Sequence, residues 1–334
     1  MADVVIVVGA TRGFEKVPVA EIRQMVGRAG RKHNGAVCEA YVLVDEEDVP
    51  VIEQGMSGDA EFDVESAMTS CDDLVFHILP EIRPGGVSDY STAAAWYARS
   101  FGAFQNKKPN IEKIFERLVE YDAIRMTDKG YVMTDVGRIA ADLYFHPADV
   151  QAWRNNFGSI FGMGLECDDG AVAWALGNVP IMPAPGDFGK YRFVLTLCRD
   201  AIPAALSVEK GTITKIALWW GALGASPMGK MRNMMLSYRE DFGRIRRALT
   251  ELDKIENWRM AGFFEDLEKR INKGIPSYLA ELCDIPGINK GRAMYLYNMG
   301  IIDRQGIRES LNNLEGEVDD DFMRVLREVA NGIR

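Results

Sequence analysis

Strand patterning nearly stops after the first fifty residues of this chain. Residues 3–8 form a continuous apolar, β-branched run that reads as a buried strand, and residues 36–44 alternate into a second strand. Between them, 9–16 carry two glycines and alternating charge, the pattern of a loop or small hairpin. Residues 19–29 can form a helix, and 32–35 a turn. Two strands and one helix cannot close a core alone, so this stretch is a fragment of an α/β domain. The rest of the chain must bury its apolar residues chiefly through helices.

Residues 66–83 are helical in pattern, and 110–121 more strongly so, with Ile111, Ile114, Phe115 and Leu118 on one face. A short hairpin follows over 124–134, turning at Asp128-Lys129-Gly130, and Asp135 caps a helix that runs to Tyr144. Helix, helix, hairpin is the order of a winged helix. Further helices continue to about Asn257, and the spacing after Leu267 suggests a small helical unit at the end. The expected fold is therefore mainly α and multidomain, with a small α/β piece at the start.

The bulk properties narrow the function classes. At 334 residues the chain is long enough for two or three compact units. No signal peptide is visible, and the longest apolar run, 216–223, is far too short to span a bilayer. Five cysteines, odd in number and never in a CxxC pair, with only three histidines, argue for reduced thiols, a cytoplasmic setting and no metal site. A net charge of -10 opposes indiscriminate nucleic-acid binding, which rests on phosphate neutralisation. Basic residues nevertheless cluster at 23–32, 230–247 and 269–292, leaving room for a channel with one positive wall.

Gln24-Met25-Val26-Gly27-Arg28-Ala29-Gly30-Arg31 fits Q-x-x-G-R-x-G-R, the sixth motif of superfamily 2 helicases. Arg28 and Arg31, three residues apart, can reach one side of a turn and grip a γ-phosphate in the cleft between two ATPase lobes. Gly27 lets the backbone approach closely, and Gln24 can bond to the nucleotide or to water. The bland alternative is a basic helix end whose arginines meet carboxylates or solvent.

With that motif, the whole chain resembles the Hjm/HELQ-type, Ski2-like superfamily 2 DNA helicases, in their C-terminal half. In that family a strand and a β-hairpin lead into the sixth motif, as 3–8 and 9–17 do here. The hairpin is the strand-separating wedge; here it is short, with Phe14 its only aromatic. Residues 70–82 resemble the first winged-helix segment, with His77 expected as a packed core histidine. Thr134-Asp135-Val136-Gly137-Arg138 and Leu143-Tyr144-Phe145-His146-Pro147 resemble the T-x-x-G and L-Y-x-x-P at its end. The resemblance implies four parts: the end of a second RecA-like lobe over 1–52, a winged helix over 66–150, a helical ratchet bundle over 151–266 and a helix-hairpin-helix over 267–334.

The family's ratchet helix lies across single-stranded DNA, and residues 240–258 match it. Phe242, Ile245, Leu249 and Leu252 form the apolar stripe, while Arg244, Arg247 and Glu251 share another face. The two arginines can contact phosphates or stack on bases. The family's stacking tryptophan falls by register at Glu251; Trp258 lies about two turns on, and whether it substitutes is open. A plain amphipathic helix with a solvated arginine face would read the same way. Ile285-Pro286-Gly287-Ile288-Asn289-Lys290-Gly291-Arg292-Ala293 resembles the hairpin h-P-G-h-G-x-x-x-A, whose backbone N–H groups hold a phosphate. Asn289 replaces the second glycine, and Lys290 and Arg292 add charge for the DNA backbone.

Two look-alikes fail. Residues 224–231 approach the phosphate loop G-x-x-x-x-G-K-[ST], but Met231 cannot ligate magnesium and the preceding 216–223 read as helix. Residues 41–46 mimic a strand ending in Asp-Glu, yet follow the arginine motif instead of preceding it. No Walker A or DExH box precedes Arg28, so the chain alone is expected to bind no cofactor and hydrolyse no ATP. ATP and Mg2+ would enter only with separately supplied ATPase lobes. The expected partners are single-stranded or forked DNA and a separate N-terminal helicase half, with no membrane. The alternative is a non-enzymatic DNA-binding or regulatory protein derived from a helicase.

Overall fold

The computed structural model describes residues 3–12, 15–30, 38–57, 65–184, 192–225 and 232–333. The chain divides into two compact units, Met1–Ser66 and Ala67–Arg334.

In the first unit, β1 (Val4–Val8), a hairpin of β2 (Thr11–Arg12) and β3 (Glu15–Lys16), α1 (Val19–Val26), β4 (Glu39–Leu43) and α2 (Val49–Met56) follow one another. β1 and β4 pair in parallel, from Val4 opposite Glu39 to Val8 opposite Leu43. Ala10, Ile22 and Ile52 form a small core with half-buried Val17, Val26 and Val42. A continuous apolar strand predicts burial on both faces, and here the structure departs from the expectation. Val4, Ile6 and Val8 are 47%, 59% and 78% exposed, and Tyr41 and Leu43 of β4 are exposed beside Ile6 and Val8. The small helical core covers one side of the pair, so the alternate side chains stand on an open face.

The second unit opens with α3 (Cys71–Ile78), α4 (Tyr90–Tyr97), α5 (Phe101–Phe104) and α6 (Ile111–Glu120). The antiparallel pair β5 (Ile124–Thr127) and β6 (Gly130–Met133) and then α7 (Asp135–Leu143) follow. Side-chain caps explain where these helices start: Ser70 accepts from Asp73 N, Asn110 from Lys113 N, and Asp89 forms a reciprocal capping box with Thr92. The cap of α7 is Thr134, which accepts from Gly137 N; Asp135, expected in that role, is the first helical residue. A Cβ at Gly137 would sit 2.0 Å from the Ala123 carbonyl oxygen, so the glycine of T-x-x-G lets α7 pack directly on the backbone before β5. His77 departs from its expected core position. α3 buries Leu74, Val75 and Ile78, and position 77 falls outside that arc, exposed and edge-on to Phe76.

A helical bundle comes next: α8 (Pro147–Met163), α9 (Asp169–Gly177), α10 (Arg192–Ala201), α11 (Ile213–Ala222), the 25-residue α12 (Arg232–Glu256) and α13 (Ala261–Lys273). α9 is buried along its whole length, between α8, α10 and α11. Two buried polar side chains of α8 are satisfied by backbone around α9: Asn156 donates to Ala175 O at 3.0 Å and to Asn178 O at 2.9 Å, and Trp153 Nε1 to Leu176 O.

The chain ends in α14 (Ala280–Cys283), α15 (Lys290–Asn298), α16 (Arg304–Leu314) and α17 (Asp320–Ala330), with a core of its own around Leu282, Leu296, Ile307 and Leu326. Arg270 of α13 donates to the buried carboxylate of Asp169 at the start of α9, and Ser277 N donates to the same group at 2.7 Å. That junction ties the last helices to the bundle. No helix among the described residues is long and apolar enough to cross a membrane.

Candidate nucleic-acid interface

Gln24 lies in the last turns of α1, and Gly27 caps it, its N–H bonding to Arg23 O at 2.9 Å. Arg28 follows, its own N–H held by Met25 O at 3.0 Å. Gln24 and Arg28 are exposed and line one side of a cleft of about 820 Å3 whose other wall is β1 and Gly9. Arg28 makes no ion pair among the described residues. Arg31 and Phe14 lie outside the described residues.

In the second unit, α12 carries the predicted stripe. Phe242, Ile245, Leu249 and Leu252 are completely buried, at i, i+3, i+7 and i+10, against α7, α8, α11 and α13. This geometry turns Arg244 and Arg247 off the apolar side, and the two then differ. Arg244 is half-exposed and engaged: its Nη2 lies 3.0 Å from Asp241 Oδ1 and its guanidinium 4.5 Å over the Phe145 ring. Arg247 is exposed, makes no ion pair among the described residues, and borders a shallow cavity of about 320 Å3 with Arg138, Arg246 and Glu251. Glu251 is held by Lys254 at 2.7 Å. Trp258, beyond the helix end, packs edge-on to Phe161 at 5.3 Å, so its ring is committed to the bundle.

The hairpin turns between α14 and α15, with Gly287 at φ 93°, a conformation costly for any side chain. Asn289 accepts from Arg292 N at 3.0 Å as the cap of α15. Its cationic neighbours are committed within the fold. Lys290 Nζ donates to Gly274 O at 2.6 Å and to Gly224 O at 3.4 Å, and burial pushes its pKa below the ordinary lysine range, helped by the charge of Arg239. Arg292 donates to Gly287 O at 3.0 Å, pairs with Asp321 at 3.3 Å and Asp319 at 3.6 Å, and lies 4.7 Å over the Phe322 ring. In the first turn of α15 the N–H of Arg292 is taken by Asn289, while those of Lys290 and Gly291 have no intrahelical partner.

Sequence reasoning passed over His146 and Asp149. They line a cavity of about 340 Å3 that also touches Phe76, Tyr144 and Arg244. His146 caps α8, its Nδ1 accepting from Ala148 N at 3.2 Å, and burial lowers its pKa. Asp149 accepts from Ile181 N at 2.8 Å, and burial raises its pKa to about 6 against the pull of Lys215. The local signal was His146-Pro147 at a helix start; the neighbours of the two side chains lie elsewhere in sequence, Tyr121 edge-on to His146 at 5.5 Å and Ile181 bonded to Asp149. Among the described residues, no group of His, Cys, Asp and Glu is placed to hold a metal ion.

No family model matches the chain. It is similar to the ATP-dependent DNA helicase Hel308 of Pyrococcus horikoshii, 25% identical over 324 residues that cover 89% of this chain and 45% of that protein. It is likewise similar to ATP-dependent DNA helicase Hel308 of Thermococcus kodakarensis, at 23% identity over 87% of this chain and 28% of the relative. The protein of the same name from Caldivirga maquilingensis is 27% identical over 69% of this chain and 29% of its own length. The chain thus spans less than half the length of these relatives.

Proposed function

Because this chain is a homologue of the Hel308 helicases, Ski2-like members of superfamily 2, we propose that it is the DNA-binding and coupling half of an ATP-dependent 3′–5′ DNA helicase. It handles single-stranded or forked DNA and supplies Arg28 and Arg31 to ATPase lobes provided by another chain or segment. The observation that carries this reading is α12. An alignment covering 89% of the chain must run through it, and on it Arg247 stands exposed while the apolar stripe is wholly buried. That is the arrangement a helix needs to lie along unpaired DNA, touching phosphates and base faces without unfolding.

Four further features support the reading. The order α6, β5, β6, α7 suits a winged helix, and the tight turn before α15 suits a helix-hairpin-helix that holds phosphate through backbone N–H groups. In the first unit, the open apolar face of the β1–β4 pair is what further strands and helices of a RecA-like lobe would cover, since parallel sheets are buried on both faces. Arg28 fits the arginine edge of a nucleotide site. ATP with Mg2+ would supply the phosphoryl-transfer chemistry there, and the guanidiniums of this chain would steady charge on the γ-phosphate.

The test is complementation. Mixed with a candidate ATPase partner, the chain restores DNA-stimulated ATP turnover, and Arg28→Ala or Arg31→Ala abolishes it. If both variants restore turnover as well as the unaltered chain does, the arginine role is wrong.

A further inference from the structure

Away from α12 and the hairpin, the second unit carries another cationic and aromatic surface. A cleft of about 760 Å3 lies between the turn 83–87 and the C-terminal half of α4, walled by Arg83, Arg99 and Trp96. Arg83 has one loose pair, with Glu81 at 3.6 Å, and Arg99 is exposed with no ion pair among the described residues. Immediately after Arg99 the chain enters α5, where Phe101 and Phe104 stack on each other with centroids 6.0 Å apart and planes 15° from parallel. Phe101 is 48% exposed and Phe104 80%, the most exposed large apolar side chain among the described residues. Neither ring supports the core, and their exposure costs solubility unless something lies on them.

Charge identifies the occupant. Over residues 90–111 the sequence has Arg99, Lys107 and Lys108 and no carboxylate, within a chain whose net charge is -10. An apolar protein partner would need the rings but not this local excess of cations. A polyanion with flat apolar faces uses both. We propose that Phe101 and Phe104, with Arg83 and Arg99 beside them, form a second binding site for single-stranded DNA, in which an unpaired base stacks on the Phe104 ring and the adjoining phosphates are held in the cleft. The proposal rests on the DNA-binding reading above but on none of the residues that carry it. Base-on-aromatic stacking tolerates any sequence because every base has a π face, so the site grips DNA without reading it. It gives the strand a second hold while α12 changes its own.

The experiment uses the full chain and a fluorescein-labelled oligothymidylate at low salt, read by anisotropy. Phe101→Ala with Phe104→Ala should weaken binding by about tenfold, the scale of one lost base–aromatic stack. Phe104→Trp should retain it, and the urea midpoint should stay put because both rings are exposed. In parallel, oligonucleotide carrying 5-iodouracil is photocrosslinked to the unaltered chain, and the crosslinked peptide should include Phe104. That second measurement decides the matter should the double alanine variant fail to fold. Unchanged affinity of a folded double variant, or crosslinks that spare this peptide, overturns the proposal and leaves the α12 reading standing, because Arg247→Glu reports on α12 separately. Failure of the unaltered chain to bind the oligonucleotide overturns both.

Discussion

Lys290 Nζ lies 2.6 Å from the main-chain oxygen of Gly274, so the first residue of α15 is fastened to the residue that caps α13. The same ammonium reaches the Gly224 carbonyl just past α11. A lysine expected to face DNA is thus a clamp between the terminal helices and the bundle. Its half-buried position and lowered pKa follow from that role.

Lys290→Met should therefore act on folding. It removes a charged donor and leaves two carbonyls without it, a loss of about 1.5–3 kcal/mol for hydrogen bonds to a charged group. The measurement is the urea midpoint, set beside oligonucleotide affinity at low salt. An unmoved midpoint with a clear loss of affinity would return Lys290 to the DNA backbone.

The contrast between Lys290 and Phe242 shows what the sequence could reveal. The stripe of Phe242, Ile245, Leu249 and Leu252 was legible because helical periodicity is local: four positions on one arc must bury together. The hairpin turn was legible for the same reason, through Pro286-Gly287. The partners of Lys290 and Arg292 were not, since Gly274, Gly224, Asp321 and Phe322 reach them only in the folded chain. The β1 run misled in the opposite sense. Its composition states what the strand tolerates, whereas its exposure depends on which layers lie against it. His77 departs from expectation for a related reason: which face of α3 is buried depends on the elements packed against it.

Asp149 makes stability depend on pH in an unusual direction for a carboxylate. Burial lifts its pKa from an ordinary 3.8 to about 6. Between those values the folded state holds a proton that the unfolded state has released, so stability falls as pH rises through about 6 and is fully regained only below 3.8. The swing is about 3 kcal/mol, since each tenfold change in proton affinity is worth about 1.4 kcal/mol. Asp149→Asn keeps an oxygen for the Ile181 N–H and removes the titration. Urea unfolding at pH 4 and pH 7 should show the variant gaining on the unaltered chain as pH rises. A constant difference across that range would mean that the carboxyl is ionised in the fold throughout.

Arg244 and Arg247 share a face but should not respond alike to reversal. Arg244 sits over the Phe145 ring and pairs with Asp241 one turn back. Arg244→Glu places a second carboxylate beside Asp241 and loses the cation–π contact, worth about 0.5–1 kcal/mol at an exposed site, so it should weaken folding as well as binding. Arg247 has neither contact, and Arg247→Glu should leave the urea midpoint and the helicity unchanged while lowering affinity for a tailed fork. The salt dependence identifies the cause. Each phosphate contact on a single strand contributes about 0.7 to the slope of log K against log salt, so removing the Arg247 contact should flatten the slope by roughly that amount. An arginine that stacks on bases instead of pairing with phosphate would lower affinity with a smaller change in slope, still consistent with a helix that the strand crosses. Affinity and slope both equal to those of the unaltered chain, with the fold intact, would leave α12 an ordinary surface helix with a solvated arginine.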